Sequence, residues 1–244
     1  MTIALPRQPH SDWLARLRTI MVLRPGQRVV HVPGIGVSAS RRAVSVAAAS
    51  WWLAGGAPAP VAAYQPKGAA SLATSYVNLV NPGTYDAAPG TAPTLDANGW
   101  VFNGTDQYLS TGVTLLRNPA DICLFVRCTG ATRATLIGNL SANLCRIIPR
   151  WTPQTLFQYA DTNAIGTLGE SIDGVFALTF FGHYFNGVLD AAYSSTTAVY
   201  AGVCCIGGVP GNFNGATVQA AAIYFASTMT EAHVIAVSAA MAAL

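Results

Sequence analysis

The chain has 244 residues, of which 52% are hydrophobic and only 9% are charged, whereas charged residues make up about 25% of an ordinary soluble domain. A free monomer relies on a charged surface for solubility, so this composition disfavours an isolated monomer and favours a chain whose surface is largely covered in an assembly. A secreted or thermophilic monomer with a neutral Ser/Thr/Asn surface is the alternative interpretation.

The charge is unevenly spread along the chain. Residues 1–60 hold seven arginines and one acid, a net charge of +6, whereas residues 61–244 hold six basic and nine acidic residues, a net charge of −3. Arginine has a planar, weakly hydrated head group that suits partly buried protein interfaces, and the chain has no dense Lys/Arg run of the kind that binds nucleic acid. The basic segment therefore predicts a protein partner rather than nucleic acid.

Residues 1–62 are predicted to form an N-terminal arm with a short helix and a strand, ahead of a domain at residues 63–244. Apolar residues recur at helical spacing over residues 13–21, with Ser11 as the N-cap, and a strand is predicted over residues 27–32. An arm without its own core becomes ordered only by docking, on its own domain or on neighbouring subunits. The candidate docking residues are Trp13, Arg24, Arg28, Arg41, Arg42, Trp51 and Trp52.

Residues 41–64 raise the alternatives of an export signal and a membrane span. Arg41 and Arg42 precede a modest apolar stretch, as in twin-arginine signals, and no charged residue occurs from 43 to 64. The stretch begins far from the first residue and is interrupted by glycines at 55–56 and prolines at 58 and 60, which break a spanning helix. We therefore predict neither a signal nor a membrane span.

Residues 63–244 consist of short apolar runs separated by turn residues, the pattern of an all-β sandwich or barrel. An Asn-Gly pair at 103–104 predicts a hairpin over residues 100–109, and a second pair at 186–187 predicts another turn. Residues 122–128 are almost continuously apolar, as expected for a strand with both faces covered. The chain ends in a predicted helix from Thr228, with Thr228 and Glu231 as its capping box.

The five cysteines, at 123, 128, 145, 204 and 205, include no C-x-x-C pair. Their odd number and their spacing argue against both a disulfide framework and a zinc site. Cys123 and Cys128 are five residues apart, so they should face opposite sides of one strand. We expect most of the cysteines to be small buried hydrophobic residues.

Four segments together resemble the laminin-G/concanavalin-A-like jelly rolls. Residues 99–112 resemble the W-x-F-(N/D)-G-x-x-x-Y-L core of that family, residues 183–188 its Y-x-N-G turn, and residues 213–224 its closing strand. The predicted helix from Thr228 is similar to the helix that ends the family's domains. The resemblance implies a jelly-roll sandwich over about residues 64–244, preceded by an extended arm and followed by a short C-terminal helix.

A second resemblance concerns residues 50–56, 63–73 and 77–85, which look like predicted structural proteins of tailed bacteriophages and prophages. In those proteins a short variable arm leads into such a jelly roll. The resemblance implies a surface component of a virion, either a capsid decoration protein or a tail-associated adhesin.

Sequence patterns for catalysis are weak. Glucanases of the jelly-roll fold need closely spaced carboxylates, but the chain has only two glutamates, Glu170 and Glu231. It has no G-x-S-x-G elbow and no complete glycine motif for phosphate, and His183 is expected to be a packed residue of an edge strand. We predict that the protein is not an enzyme.

Ligand sites are only weakly indicated. The jelly-roll resemblance implies calcium in the loops, where Asp106, Asp161 and Asp190 are candidates, but no D-x-D cluster supports them, so no metal or cofactor is predicted. Among the aromatic residues that could stack on sugars, Trp151 is the best surface candidate because polar residues and a proline surround it. Packing is the favoured role even for Trp151.

These observations lead to two hypotheses. The first is a non-enzymatic virion structural protein, made in the host cytoplasm and placed on the particle surface, whose partners are the major capsid or tail protein and copies of itself. The second is a carbohydrate-binding module or host-surface adhesin on the same fold, with host glycans as partners. A secreted accessory protein of an enzyme is a third possibility, but it requires the export signal that we do not predict.

Overall fold

The computed structural model describes residues 50–115, 121–139, 145–151, 154–159, 162–165, 173–192 and 202–244. The predicted arm helix at residues 13–21, the predicted strand at residues 27–32 and the arginine pair at 41–42 lie outside the described residues.

The described strands are mostly short. In chain order they are β1 (Ala62–Tyr64), β2 (Ala88–Thr91), β3 (Thr94–Asp96), β4 (Gly99–Val101), β5 (Tyr108–Thr114), β6 (Ile122–Thr129), β7 (Ile137–Gly138), β8 (Cys145–Trp151), β9 (Gln154–Tyr159), β10 (Thr162–Ile165), β11 (Gly174–Thr179), β12 (Gly182–Phe185), β13 (Val188–Ala192), β14 (Val203–Ile206), β15 (Gly208–Val209), β16 (Asn212–Phe213) and β17 (Thr217–Phe225). The helical segments within the same ranges are a 3₁₀ helix (Trp51–Gly56), α1 (Leu72–Ser75) and α2 (Glu231–Ala242). None of these segments is long and apolar enough to cross a membrane.

Most of the described strands belong to two large antiparallel sheets. The first sheet has the order β13-β12-β11-β6-β17-β4-β3, and β1 joins it by pairing with β17. The second has the order β10-β9-β8-β7-β14-β5-β2, and β15 and β16 form a separate ribbon. The two sheets share one apolar core, so the prediction of an all-β sandwich is confirmed.

The first sheet is buried on both faces. On β6, Val126 and Cys128 contribute to the core between the sheets, whereas Cys123 and Phe125 belong to a second apolar cluster on the opposite face. The 3₁₀ helix, through Trp51, and α2 cover that second face. The predicted burial of the cysteines and the opposite orientations of Cys123 and Cys128 are confirmed.

The hairpin predicted over residues 100–109 does not form. β4 pairs with β3 and β17 in the first sheet, whereas β5 pairs with β2 and β14 in the second. The Asn103 side chain accepts hydrogen bonds from the N–H groups of Thr105 (2.9 Å) and Asp106 (3.3 Å), which is an Asx turn. A type I′ hairpin needs positive φ at both central residues, but here only Gly104 of the pair has it. The turn therefore carries the chain from one sheet to the other.

The second Asn-Gly pair does form a hairpin, between β12 and β13. Asn186 and Gly187 have φ values of 50° and 79°, as a type I′ turn requires, and Phe185 pairs with Val188 across it. Asn186 Oδ1 also accepts the N–H of Val175 at 2.9 Å. The side chain thus ties the turn to the start of β11.

The C-terminal helix forms, but its predicted capping box is wrong. Thr230 is the N-cap: its Oγ1 accepts the N–H of His233 at 3.3 Å, and His233 Nδ1 accepts the N–H of Thr230 at 3.2 Å. The imidazole takes the place that a carboxylate has in a usual capping box. It can do so because a neutral histidine has one ring nitrogen that accepts a hydrogen bond. Glu231 instead lies in the first turn, where its charge favours the helix dipole.

Asn78 holds β1 in place. Its Oδ1 accepts the N–H groups of Ala63 and Val80, both at 3.1 Å, and its Nδ2 donates to the carbonyls of Val61 (3.2 Å) and Thr84 (2.8 Å). The side chain is fully buried. It therefore satisfies buried backbone groups of β1 on the side away from β17, groups that would be costly to leave unpaired.

We expect Asn78→Ala to lower the free energy of unfolding by about 2–4 kcal/mol, because several buried backbone groups lose their partner at once. Chemical denaturation measures this loss. The control is Asn98→Ala in the exposed turn between β3 and β4, with an expected change within about 0.5 kcal/mol. Similar losses in the two variants would contradict the role assigned to Asn78.

His183 lies inside the first sheet rather than at the expected edge. It is on β12, opposite Leu178 of β11 and Ala191 of β13, and it is fully buried. Burial lowers its pKa to about 4, although the nearby Asp190 acts in the opposite direction. His183 is therefore a neutral, packed residue at pH 7.

Stability should fall as the pH drops from about 6.5 to 4. A histidine of the unfolded chain has a pKa of about 6.5, so across this window the unfolded state binds a proton that the folded state does not yet hold. The expected loss is at most about 3 kcal/mol, measured by denaturation at a series of pH values. His183→Gln keeps polar atoms but cannot ionise, so it should flatten this slope. An unchanged slope would show that other groups cause it.

Candidate functional site

The solvent-facing side of α2 is apolar after Glu231, the first residue of the helix. The helix buries Val234, Val237, Ser238 and Met241 against the first sheet. Its exposed residues after Glu231 are Ala232, Ile235, Ala239 and Ala242, none of which is charged. A surface helix normally carries polar residues on its outer side, and a helix that is apolar all round is usually buried. α2 therefore has the composition of a helix that another protein surface covers.

An apolar groove of about 490 Å³ lies between the 3₁₀ helix and the end of α2. Its lining residues are Ser50, Trp51, Leu53, Ala54, Ala240, Ala243 and Leu244. The two helices are in direct contact, since a Cβ on Gly55 would lie only 2.6 Å from the Cβ of Ala236. Leu53 is 43% exposed, so a large apolar side chain stands open beside the groove.

The β12–β13 turn extends the apolar character beyond α2. Gly187 lies against the helix, since a Cβ there would be 3.5 Å from the Cα of Ile235. Ile235 is 48% exposed, and Val188, next to Gly187, is 60% exposed. We call Leu53, Val188, Ile235 and the exposed alanines of α2 the α2 surface. Exposed apolar patches of this kind mark contact sites for other proteins.

Two of the predicted docking residues contact their own domain. Trp51 is buried, and its Nε1 donates to Gln65 Oε1 at 3.1 Å. Trp52 packs edge-on against Trp51, and its carbonyl accepts the Tyr224 hydroxyl at 2.8 Å. A further contact of either tryptophan with a neighbouring subunit stays a prediction. The other docking candidates, Trp13, Arg24, Arg28, Arg41 and Arg42, lie outside the described residues.

Of the residues considered for ligands and catalysis, His183 and Asp190 lie near each other, whereas Asp106 lies in the turn between β4 and β5. Trp151 is the last residue of β8, where its backbone pairs with Gln154, and its proposed sugar contact stays a prediction. Asp106 Oδ1 accepts the Asn103 amide at 2.8 Å, and Asp190 lies on β13. Asp161 and Glu170 are outside the described residues. Within the described ranges, no group of three His, Cys, Asp or Glu side chains is arranged to hold a metal ion.

The buried thiols are poor nucleophiles. Burial raises the pKa of Cys205 to about 11 and that of Cys123 to about 12, and Cys204, next to Cys205, is shifted in the same direction. A thiol reacts as the thiolate, so these cysteines are protonated and inert at pH 7. Their role is packing.

Tyr85 is an exposed aromatic residue that the sequence analysis did not single out. It is 42% exposed and has a φ of 60°, a backbone conformation that bulky residues rarely adopt. The Asn-Pro-Gly turn at 81–83 was visible in the sequence. Nothing in the local sequence predicts the positive φ at Tyr85, because residues distant in the chain hold this conformation.

No protein-family model and no curated protein sequence matches the chain. Among solved structures, a Trypanosoma rangeli sialidase in complex with 2,3-difluorosialic acid is similar, with 14% identity and a TM-score of 0.50. The match covers 73% of this chain and 32% of the sialidase. At this identity the likeness concerns the β-sandwich fold alone.

Two further structures are similar at lower scores. Domain 4 of AbnA, a GH43 extracellular arabinanase from Geobacillus stearothermophilus in complex with arabinotriose, has 13% identity and a TM-score of 0.49, covering 73% of this chain and 98% of that domain. The binding domain of botulinum neurotoxin DC in complex with SialylT has 11% identity and a TM-score of 0.47, covering 75% of this chain and 51% of that one.

Proposed function

We propose that the chain is a non-enzymatic structural protein of a virion, a capsid decoration or tail-associated protein built on a jelly roll of the laminin-G/concanavalin-A type. The arm at residues 1–62 anchors it to the major capsid or tail protein and to copies of itself. The domain at residues 63–244 faces outward on the particle. The observation that supports the assembly role is the α2 surface, and the virion role rests on the resemblance of residues 50–56, 63–73 and 77–85 to predicted phage structural proteins.

The α2 surface supports an assembly role because it contains large and small apolar side chains, and the exposed residues of α2 after Glu231 are uncharged. Leu53, Val188 and Ile235 are each about half exposed, and the alanines of α2 allow a partner backbone to approach closely. The central parts of protein interfaces are depleted of charge in this way. The scarcity of charge on the whole chain, 9% of its residues, points in the same direction.

The charge distribution supports contact between copies of the chain. Residues 1–60 carry a net charge of +6 and residues 61–244 a net charge of −3. Opposite net charges favour contact between the arm and the domain, and such contact can form between the arm of one copy and the domain of another. The arginines of the arm suit such a contact because their head groups are readily desolvated.

We expect the full-length chain to self-associate, and Ile235→Glu or Leu53→Glu to weaken this association at least tenfold, because each places a charge in an apolar contact (about 1.4 kcal/mol per factor of ten). Sedimentation velocity over a range of protein concentrations measures the effect. Leu79→Glu, at a position that is 39% exposed on the loop after α1, is the matched control and should leave association unchanged. A wild-type chain that stays monomeric, with residues 1–60 resistant to protease, would remove the main support for the proposal.

Virion membership has its own test. Particles purified from cells that carry the gene should contain the chain at stoichiometric levels by mass spectrometry. Electron microscopy of those particles should show residues 1–62 crossing a subunit boundary. Particles that lack the chain would overturn the virion role, while the self-association result would still stand.

A further inference from the structure

The backbone at Tyr85 is held in an unfavourable conformation. Tyr85 and Asn186 are the non-glycine residues with positive φ in the described ranges. Asn186 sits in a tight hairpin turn, where asparagine is favoured. Tyrosine is not favoured at positive φ, since a bulky side chain in the left-handed region meets steric conflict with its own backbone. A strained residue persists only where the surrounding structure imposes it, and such residues concentrate at binding and catalytic sites.

Side-chain hydrogen bonds hold the backbone around Tyr85 in this conformation. The Tyr64 hydroxyl donates to the Tyr85 carbonyl at 2.5 Å, and Asn78 Nδ2 donates to the carbonyl of Thr84 at 2.8 Å. Asp86 Oδ1 accepts the N–H groups of Asn78 (2.8 Å) and Gly83 (3.1 Å). Tyr64 and Asn78 are fully buried, so parts of the core fix the backbone on which an exposed ring is presented.

The ring of Tyr85 lies at the rim of the outer face of the second sheet. A Cβ on Gly112 of β5 would be 3.7 Å from Tyr85 Cδ1, so the ring lies close to the backbone of β5 at this glycine. The other residues of β5 on the same side as Gly112 are Tyr108, Ser110 and Thr114, and the serine and the threonine add two hydroxyl groups to this face. β14 contributes Val203, which is opposite Thr114 and 39% exposed.

We propose that Tyr85 is the stacking platform of a binding site for a neutral saccharide. A rigid aromatic ring at a wet surface offers an apolar face at little cost in side-chain entropy, which suits the C–H face of a pyranose. The hydroxyls of β5 can donate to and accept from sugar hydroxyls. Residues 76–91 hold one charge, Asp86, and no lysine or arginine, so the site suits a neutral sugar rather than an acidic one.

This site is independent of the α2 surface and of the virion role. It involves the loop between α1 and β2 and the outer side of β5, whereas the α2 surface lies on the far side of the first sheet. The fixed backbone means that little conformational freedom is lost on binding, which favours affinity for a small ligand.

The test is an array of neutral hexose and pentose oligosaccharides, followed by titration calorimetry of the full-length chain with the best binder. Tyr85→Gly should reduce affinity at least tenfold while leaving the melting temperature unchanged or higher, because glycine removes the ring and relieves the strained φ. Tyr85→Trp should retain binding. Leu79→Ala, an exposed apolar residue of the same loop, is the matched control and should bind like the wild type.

Each contrary result overturns the proposal. These are the absence of binding by the wild type to any arrayed neutral saccharide, unchanged affinity in Tyr85→Gly, and binding of acidic saccharides or proline-rich peptides alone. A lower melting temperature in Tyr85→Gly would also count against it, because the tyrosine would then be a packing residue. Failure here leaves the self-association of the α2 surface intact, so the two proposals can be judged separately.

Discussion

The first sheet has to be covered on both faces, and much of the structure follows from this requirement. β6 and β17 pair along most of their length, and both strands carry apolar side chains on both sides. The second sheet covers one side, and the 3₁₀ helix and α2 cover the other. The hydroxyl of Tyr224 on β17 donates to the carbonyl of Trp52, so the covering layer is also hydrogen-bonded to the sheet below it. The 3₁₀ helix and α2, which are far apart in the chain, thus lie over the same two strands, β6 and β17.

The same requirement explains the position of one charged residue of the first sheet. Arg127 is the charged residue of β6, and its guanidinium donates to the carbonyl of Met241 near the end of α2. A positive group at this end of a helix is favoured by the helix dipole and satisfies a terminal carbonyl. One side of α2 packs against the sheet, and the residues on its exposed side are mostly alanines. The apolar outer surface therefore results from a helix whose two sides have similar composition.

Sequence patterns predicted the elements whose determinants are local. The long apolar run of β6, the turn at Asn186 and the C-terminal helix all follow from residues within a few positions of one another. The Asn-Gly pair at 103–104 has the same sequence as the pair at 186–187. The second pair forms a hairpin, whereas the first connects two different sheets. Its outcome depends on β17 and β14, more than 90 residues further along the chain. The Thr230 cap was missed because histidine accepts a capping hydrogen bond only when it is neutral and correctly turned.

The candidate sites also have some features that the sequence predicts and others that depend on the fold. The absence of charge after Glu231 could be read from the sequence, but that one side of α2 stays open could not, because exposure depends on what the sheet leaves uncovered. Tyr85 could not be found from its neighbours, since its backbone is set by Tyr64, 21 residues earlier, and by Asn78. Long-range hydrogen bonds of this kind leave no periodic signal in a sequence.

The loop around Tyr85 separates the residue that meets the solvent from the residues that determine its backbone. Tyr64, Asn78 and Asp86 bond to main-chain atoms, so none of these contacts depends on which side chain stands at position 85. Such a position can change its side chain over evolutionary time without requiring compensating changes in the core. Related chains that keep the three supporting residues could therefore differ in what they recognise while sharing one scaffold.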